Sequence, residues 1–314
     1  MKKNFRNLAI VAISLLLASC GTQPATEYGT RADALDASAW ESSQWISAVD
    51  APVVTGKTGD MQNNRAADGS SWFVSTIKNE QKVASAKWMT TGLGVYEIYV
   101  NGKAIGQEFM KPGYTHYAKT RRSFTYDITD AFQTGAGAEN QLSAQVTPGW
   151  WADKIITPHG HEGFYGKKPA FRGVLELTYA DGSKKLYGTD LENWKAGVAG
   201  PIKHAAIFDG EAYDAREPMG YEVADQFAQP ELNTEFSGEI LPSAGAEIYL
   251  RKDIALAPVK AYIWKGVEGA KEKEFGKVII SQNTFIVPPC RGNDNVGIRV
   301  NADTLLQSLF NKSM

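Results

Sequence analysis

The sequence predicts an all-β protein, an antiparallel β-sandwich followed by a second, smaller β module. Three observations predict it. Apolar and polar residues alternate over short stretches, Asn-Gly and Asp-Gly pairs punctuate them, and long amphipathic helix patterns are missing. Short strands joined by Gly- and Pro-rich turns build sandwiches. No internal repeat of fixed period is visible.

The chain opens with Lys2, Lys3 and Arg6 and no acid, then runs apolar over residues 8–18 with only Ser14 polar. That stretch is too short to cross a bilayer, which takes about 20 residues. A charged start, a short apolar core and a small-residue break describe a secretory signal, residues 1–19. Leu17-Ala18-Ser19-Cys20 resembles a bacterial lipobox, which implies cleavage before Cys20 and acyl chains attached to it. Two or more chains anchor stably, at about 0.8 kcal/mol per buried methylene. The expected product is an exported lipoprotein, held by the lipid anchor at a membrane, periplasmic or at the cell surface. The alternative is an ordinary signal peptide with a chance cysteine.

Losing residues 1–19 would remove three cations and move the formal net charge from −2 to about −5. That mild acidity argues against a nucleic-acid partner, which needs a clustered basic face. Cys290 then remains as the other thiol, so no intrachain disulfide is available.

Residues 20–38, rich in Gly, Thr, Ala and Asp, read as a flexible tether. The sandwich is expected over 39–220. Its first strand falls within 40–50, where Trp40, Trp45 and Ile46 lie, and 61–71 reads as a polar loop. Residues 95–100 are the clearest strand: Tyr96, Ile98 and Val100 share one face and Glu97 takes the other. Asn101-Gly102 follows at once, the pair a type I′ hairpin turn demands. Phe124, Tyr126 and Ile128 repeat the alternation, with Thr129 or Asp130 placed to cap one helical turn. Leu175, Leu177 and Tyr179 alternate with Glu176 and Thr178, and Asp181-Gly182 turns the chain toward Leu186-Tyr187. Around 218–234 the composition turns polar and acidic. A second, partial β module is therefore placed at 221–282, with strands near 261–264 and 277–280.

For chemistry, residues 148–165 stand out, combining Trp150, Trp151 and Asp153 with His159, His161, Glu162 and Phe164-Tyr165. A ring can pack on the apolar face of a pyranose while carboxylates or amides fix its hydroxyls. Trp150, Trp151, Asp153, His161 and Glu162 are the candidate carbohydrate contacts. A Trp pair in a β-protein equally serves as core, and both readings stand at this point. His159, His161 and Glu162 carry metal-ligand chemistry, but no distant third ligand suggests itself, so no metal or other cofactor is expected. Asn293-Asp294-Asn295 lacks the spacing of an EF-hand. No Gly-x-Ser-x-Gly elbow, Walker loop or dinucleotide fingerprint occurs, and Gly92-Leu93-Gly94 precedes a strand rather than a helix. No catalytic residue is nominated.

One ordered series is more specific. It runs from residue 92 through Asn101-Gly102-Lys103, then Lys111-Pro112-Gly113-Tyr114-Thr115 and Tyr117, then Thr125-Tyr126-Asp127-Ile128-Thr129-Asp130. Pro148-Gly149-Trp150-Trp151, Leu175 to Gly182, and Ile207 to Arg216 complete it. In this order and spacing, the chain resembles the N-terminal region of bacterial α-L-rhamnosidases. The resemblance is close over about 40–218 and looser to about 280. It implies a galactose-binding-like jelly-roll sandwich from a modular inverting glycoside hydrolase that removes terminal rhamnose, so a rhamnose-containing glycan is the implied ligand. It also implies a later (α/α)₆ barrel holding the catalytic acids. No helical repeats and no acid-rich catalytic motif occur in the 314 residues.

The expectation is therefore a non-catalytic front fragment whose barrel is missing or separately encoded. The alternative is a free-standing carbohydrate-binding lipoprotein. Residues 283–314 change composition and are expected to be an out-of-register tail, or else a short helix closing the chain.

Overall fold

The computed structural model describes residues 28–53, 68–154, 163–208 and 210–254, with the backbone of strands at 279–281, 284–287 and 298–301. In chain order the strands are β1 (Thr30–Arg31), β2 (Ile46–Ser47), β3 (Ser71–Lys78), β4 (Val83–Leu93), β5 (Val95–Val100) and β6 (Lys103–Ala104). They continue as β7 (Thr120–Asp127), β8 (Glu139–Thr147), β9 (Ala170–Tyr179), β10 (Lys184–Gly188), β11 (Trp194–Val198), β12 (Ile202–Ala206) and β13 (Gly210–Tyr213). The last are β14 (Glu231–Leu232), β15 (Glu239–Pro242), β16 (Ile279–Ser281), β17 (Thr284–Val287) and β18 (Ile298–Asn301). One short helix, α1 (Gly149–Ala152), follows β8.

Two sheets form the expected sandwich. The larger runs β1-β7-β4-β9-β2-β14, with β10 on β9 and β15 on β7; the smaller runs β11-β3-β8-β5-β6. Pairing within them is antiparallel except where β15 runs parallel to β7. Alternation along each strand explains the core. Trp88, Phe124, Tyr126, Phe171 and Leu175 of the larger sheet meet Phe73, Ile98, Leu142, Val146 and Trp194 of the smaller. Phe171 is the centre, with its ring 5.9 Å from Phe73, 6.1 Å from Trp88 and from Tyr96, and 5.9 Å from Trp194. Each such side chain contributes about 1.5–3 kcal/mol of burial free energy.

The local predictions hold where their signals are local. Tyr96, Ile98 and Val100 are buried, and Asn101 and Gly102 turn with φ of 51° and 75°, joining β5 to β6. Leu175, Leu177 and Tyr179 face inward, and Gly182 at φ 86° closes the β9–β10 hairpin.

Several boundaries move. Residues 28–38 do not behave as tether: Thr30 pairs with Asp127, and the Gly29 amide donates to the Asp130 carboxylate. Trp40 lies in a 3₁₀ helix (Ala37–Ser42) capped by Asp36, ahead of the strand that holds Ile46. A single turn does follow β7, with the Ala131 amide donating to the Ile128 carbonyl at 3.0 Å, but Asp127 caps it rather than Thr129 or Asp130: the Thr129 amide and hydroxyl both donate to Asp127 Oδ1. The boundary near 220 also gives way. Leu232 pairs with Ile46, and residues 239–242 lie along 120–123 of β7, so this stretch extends the larger sheet. Residues 261–264 lie outside the described residues. Strand β16 pairs with β17, which pairs with β18, and this small sheet crosses the boundary set at 282.

The outer face of the larger sheet is covered by the segment ahead of β2 and by β15. Trp40 and Ala39 pack on Met89 and Val174, joined by Ile240 from β15. Arg172 ties this cover down, donating from Nε to Ser43 Oγ and from its terminal nitrogen to the Ser43 carbonyl, both at 2.9 Å.

Candidate functional site

The segment singled out by its aromatic and polar residues lies at one end of the sandwich. Pro148 and Gly149 turn the chain out of β8, and Gly149 adopts φ +50° so tightly against Val95 that an added Cβ would lie 2.9 Å from the Val95 amide nitrogen. The single turn of α1 that follows sends its two tryptophans to different places, since neighbours on a helix point about 100° apart.

Trp150 is half-buried at the rim, edge-on to Tyr114 at 6.0 Å between centroids. Tyr114 and Phe164 are exposed, and the Tyr114 and Tyr165 hydroxyls are 3.2 Å apart. That hydrogen bond, with some burial, pushes the Tyr165 hydroxyl up from its ordinary value. Tyr114, Trp150, Phe164 and Tyr165 thus form a surface aromatic cluster. Of these, Tyr114 was not among the candidate contacts; its position in Pro112-Gly113-Tyr114, just past a turn, was the available signal.

Trp151 goes inward. It is 1% exposed, its indole donates to the Lys168 carbonyl at 3.0 Å, and Gly166 covers the ring so closely that a Cβ there would lie 2.1 Å away. No ring face is left for a sugar, so Trp151 takes the core reading. Asp153 is also 1% exposed, and its Oδ2 accepts the Ile207 amide at 3.2 Å. It fixes the β12–β13 connection rather than facing a ligand. His159, His161 and Glu162 lie outside the described residues, as does Cys20. Among the described residues, no three His, Cys, Asp or Glu side chains are grouped to hold a metal ion.

Beneath the cluster sits Arg121, which sequence reasoning passed over. It projects from β7, is fully buried, and stacks 3.5 Å from the Tyr117 ring centroid, with Trp151 at 4.6 Å and Phe236 at 5.3 Å. Among the described residues, none of its guanidinium nitrogens has a hydrogen-bond partner. Burial pushes the guanidinium down to about 9, while electrostatic attraction to Tyr117 and Tyr165 opposes the shift. Among the described residues, the charge is faced by aromatic rings rather than by a carboxylate.

Two carboxylates elsewhere are committed to structural partners, Glu108 buried and Glu97 partly exposed. Glu97 meets the fully buried Lys111 ammonium at 2.8 Å, and burial pushes the Glu97 carboxyl up against that attraction. Glu108 accepts the Tyr126 hydroxyl at 2.7 Å and lies 3.6 Å from Arg31.

The family model described as "Alpha-L-rhamnosidase N-terminal domain" matches residues 81–236. An α-L-rhamnosidase of Streptomyces avermitilis is 39% identical over 137 residues, covering 44% of this chain and 13% of that protein. An α-L-rhamnosidase of Formosa agariphila is 28% identical over 261 residues, covering 78% of this chain and 26% of that protein. Among solved structures, the Streptomyces avermitilis α-L-rhamnosidase complexed with L-rhamnose superposes with a TM-score of 0.53 at 30% identity. It covers 59% of this chain and 18% of that one. The Dictyoglomus thermophilum α-L-rhamnosidase, at 19% identity and TM-score 0.58, shares the fold over 79% of this chain and 25% of its own. The chain thus spans between about an eighth and a quarter of the relatives it matches.

Proposed function

We propose, from the premise that residues 81–236 are an α-L-rhamnosidase N-terminal domain, that this chain is the non-catalytic front part of a glycoside hydrolase directed at rhamnose-containing glycans. The observation that carries the reading is the family match, which runs from the start of β4 past β14 and so takes in most of the sandwich. Three carboxylates that already hold structural partners agree with it. Glycoside hydrolysis needs two carboxyl groups facing each other across a sugar, at about 5–10 Å. Glu97, Glu108 and Asp153 are instead spent on Lys111, on Tyr126 and Arg31, and on the Ile207 amide. The purified full chain is expected to release no aryl alcohol from an aryl α-L-rhamnoside above the buffer rate. Sustained, enzyme-proportional release would overturn the reading.

The location proposed for this part is outside the cytoplasm, held through acylated Cys20. That rests on the charged start, the apolar run over 8–18 and Leu17-Ala18-Ser19-Cys20. Expressed in a bacterium, the chain should fractionate with membranes and take up labelled palmitate. Cys20→Ala should abolish the label, and label persisting in that variant would sink the anchor.

A further inference from the structure

The fold begins close to the residue proposed as its anchor. Tyr28 already belongs to the sandwich: its carbonyl accepts the Gly106 amide at 2.9 Å, and the Lys103 ammonium lies 4.5 Å from its ring centroid. Tyr28 is the eighth residue after Cys20. However the chain runs between them, the two stand at most about 29 Å apart. A tether reaching Ser38 would have allowed about 65 Å.

Beside Tyr28 the surface is apolar. Phe109 comes three residues after Gly106, and its amide donates to the Ile248 carbonyl at 2.9 Å. Arg31, three residues after Tyr28, holds the same segment by donating to Glu247 at 3.0 Å. Phe109 and Ile248 lie directly opposite each other as bridge partners, so their side chains leave on the same side. Yet Phe109, Ile248, Tyr249 and Leu250 are 42%, 55%, 50% and 65% exposed. The charges flanking this run are paired within the fold, Glu247 with Arg31 and Arg251 with Asp253. Large apolar side chains left open beside paired charges mark a surface that meets a protein or a bilayer.

We infer that this patch lies on the membrane itself, with Phe109, Ile248, Tyr249 and Leu250 in the layer between headgroups and acyl chains. The inference rests on the acylated Cys20 proposed above. Acyl chains fix Cys20 at the bilayer surface, Tyr28 follows within about 29 Å, and Phe109 is at most about 11 Å of chain beyond Gly106. So short a lead makes contact between patch and bilayer an intramolecular event with a high effective concentration. The residue types suit that layer, where a tyrosine ring sits at headgroup level and apolar faces sink about 5–10 Å. A soluble partner or a second copy would gain nothing from the nearness of the anchor.

The test uses the acylated chain, purified in detergent and returned to vesicles of phosphatidylethanolamine and phosphatidylglycerol. An environment-sensitive fluorophore is attached at Leu250→Cys or, as a control, at Lys184→Cys, each in a Cys290→Ser background so that one thiol is free. Lys184 is exposed on β10, four strand spacings from β1 across the sheet, or about 19 Å. On reconstitution the Leu250 probe should shift to the blue and be quenched by nitroxide-labelled lipid, while the Lys184 probe does neither. Raising salt to about 1 M, which screens charges beyond about 3 Å, should leave the shift in place. Phe109→Ser should lessen the quenching with the circular dichroism spectrum unchanged. An acylated, vesicle-bound chain whose Leu250 probe stays in water overturns the patch and leaves the anchor standing. A chain that carries no acyl group overturns both. A shift that grows with the protein-to-lipid ratio, or that is lost in high salt, also overturns it, pointing to a second copy in the first case and to charge in the second.

Discussion

Replacing Arg121 by lysine is expected to cost about 2–4 kcal/mol, whereas replacing it by methionine should leave stability within about 1 kcal/mol of the parent. The inversion of the usual conservative choice follows from what surrounds the group. The guanidinium is fully buried between Tyr117, Trp151 and Phe236, with no acceptor on any nitrogen among the described residues. Its plane lets it stack, and its charge is weakly hydrated for a cation. An ammonium has neither property, so it would be stripped of water and receive little in return. Methionine fills the same slot, makes sulfur–aromatic contacts and removes the unpaired charge altogether. Urea denaturation followed by far-ultraviolet circular dichroism measures both variants. If methionine proves the more damaging of the two, the charge is being stabilised by more than the three rings, and this account of the cage fails.

How much of this could be read in the sequence depends on how local each signal is. β5 and its turn were legible, because the alternation of Tyr96, Ile98 and Val100 and the pair Asn101-Gly102 need only their immediate neighbours. The short straps β1, β14 and β15 were not. They have two to four residues, are mostly exposed, and exist because β7 and β2 offer free edges far away in the chain. The tether and the module boundary were misplaced for that one reason.

The site was half legible. Pro148 to Trp151 announced an aromatic centre, but two adjacent rings on one helical turn cannot be sorted into rim and core without knowing that Gly166 covers one of them. Arg121 shows the limit from the other side. Phe124 and Tyr126 face the core, so the parity of β7 already put Arg121, Ser123 and Thr125 on the opposite face. Charge then suggested solvent. The cover that buries Arg121 comes from Phe236, more than a hundred residues later, and no local pattern announces it.

Gly94→Ala is expected to cost about 3–5 kcal/mol. Gly94 is the corner at which the chain leaves β4 in the larger sheet and enters β5 in the smaller, with one residue to make the change. Its φ of +136° is strained for any side chain, and a Cβ there would lie 2.1 Å from the Thr147 carbonyl oxygen. That oxygen is backbone of β8, held in register by Val95, and cannot swing aside as a side chain would. Strain and contact can be separated by a second variant. Gly113 has a φ of +85° and nothing within 4 Å of an added Cβ, so Gly113→Ala carries the backbone term alone, about 1–2 kcal/mol. The excess loss in Gly94→Ala, read from urea midpoints at a shared slope, measures the collision. Equal losses would mean that the corner can shift away from β8 to admit the methyl, and the Gly92-Leu93-Gly94 run would then owe its glycine at 94 to backbone conformation rather than to close approach.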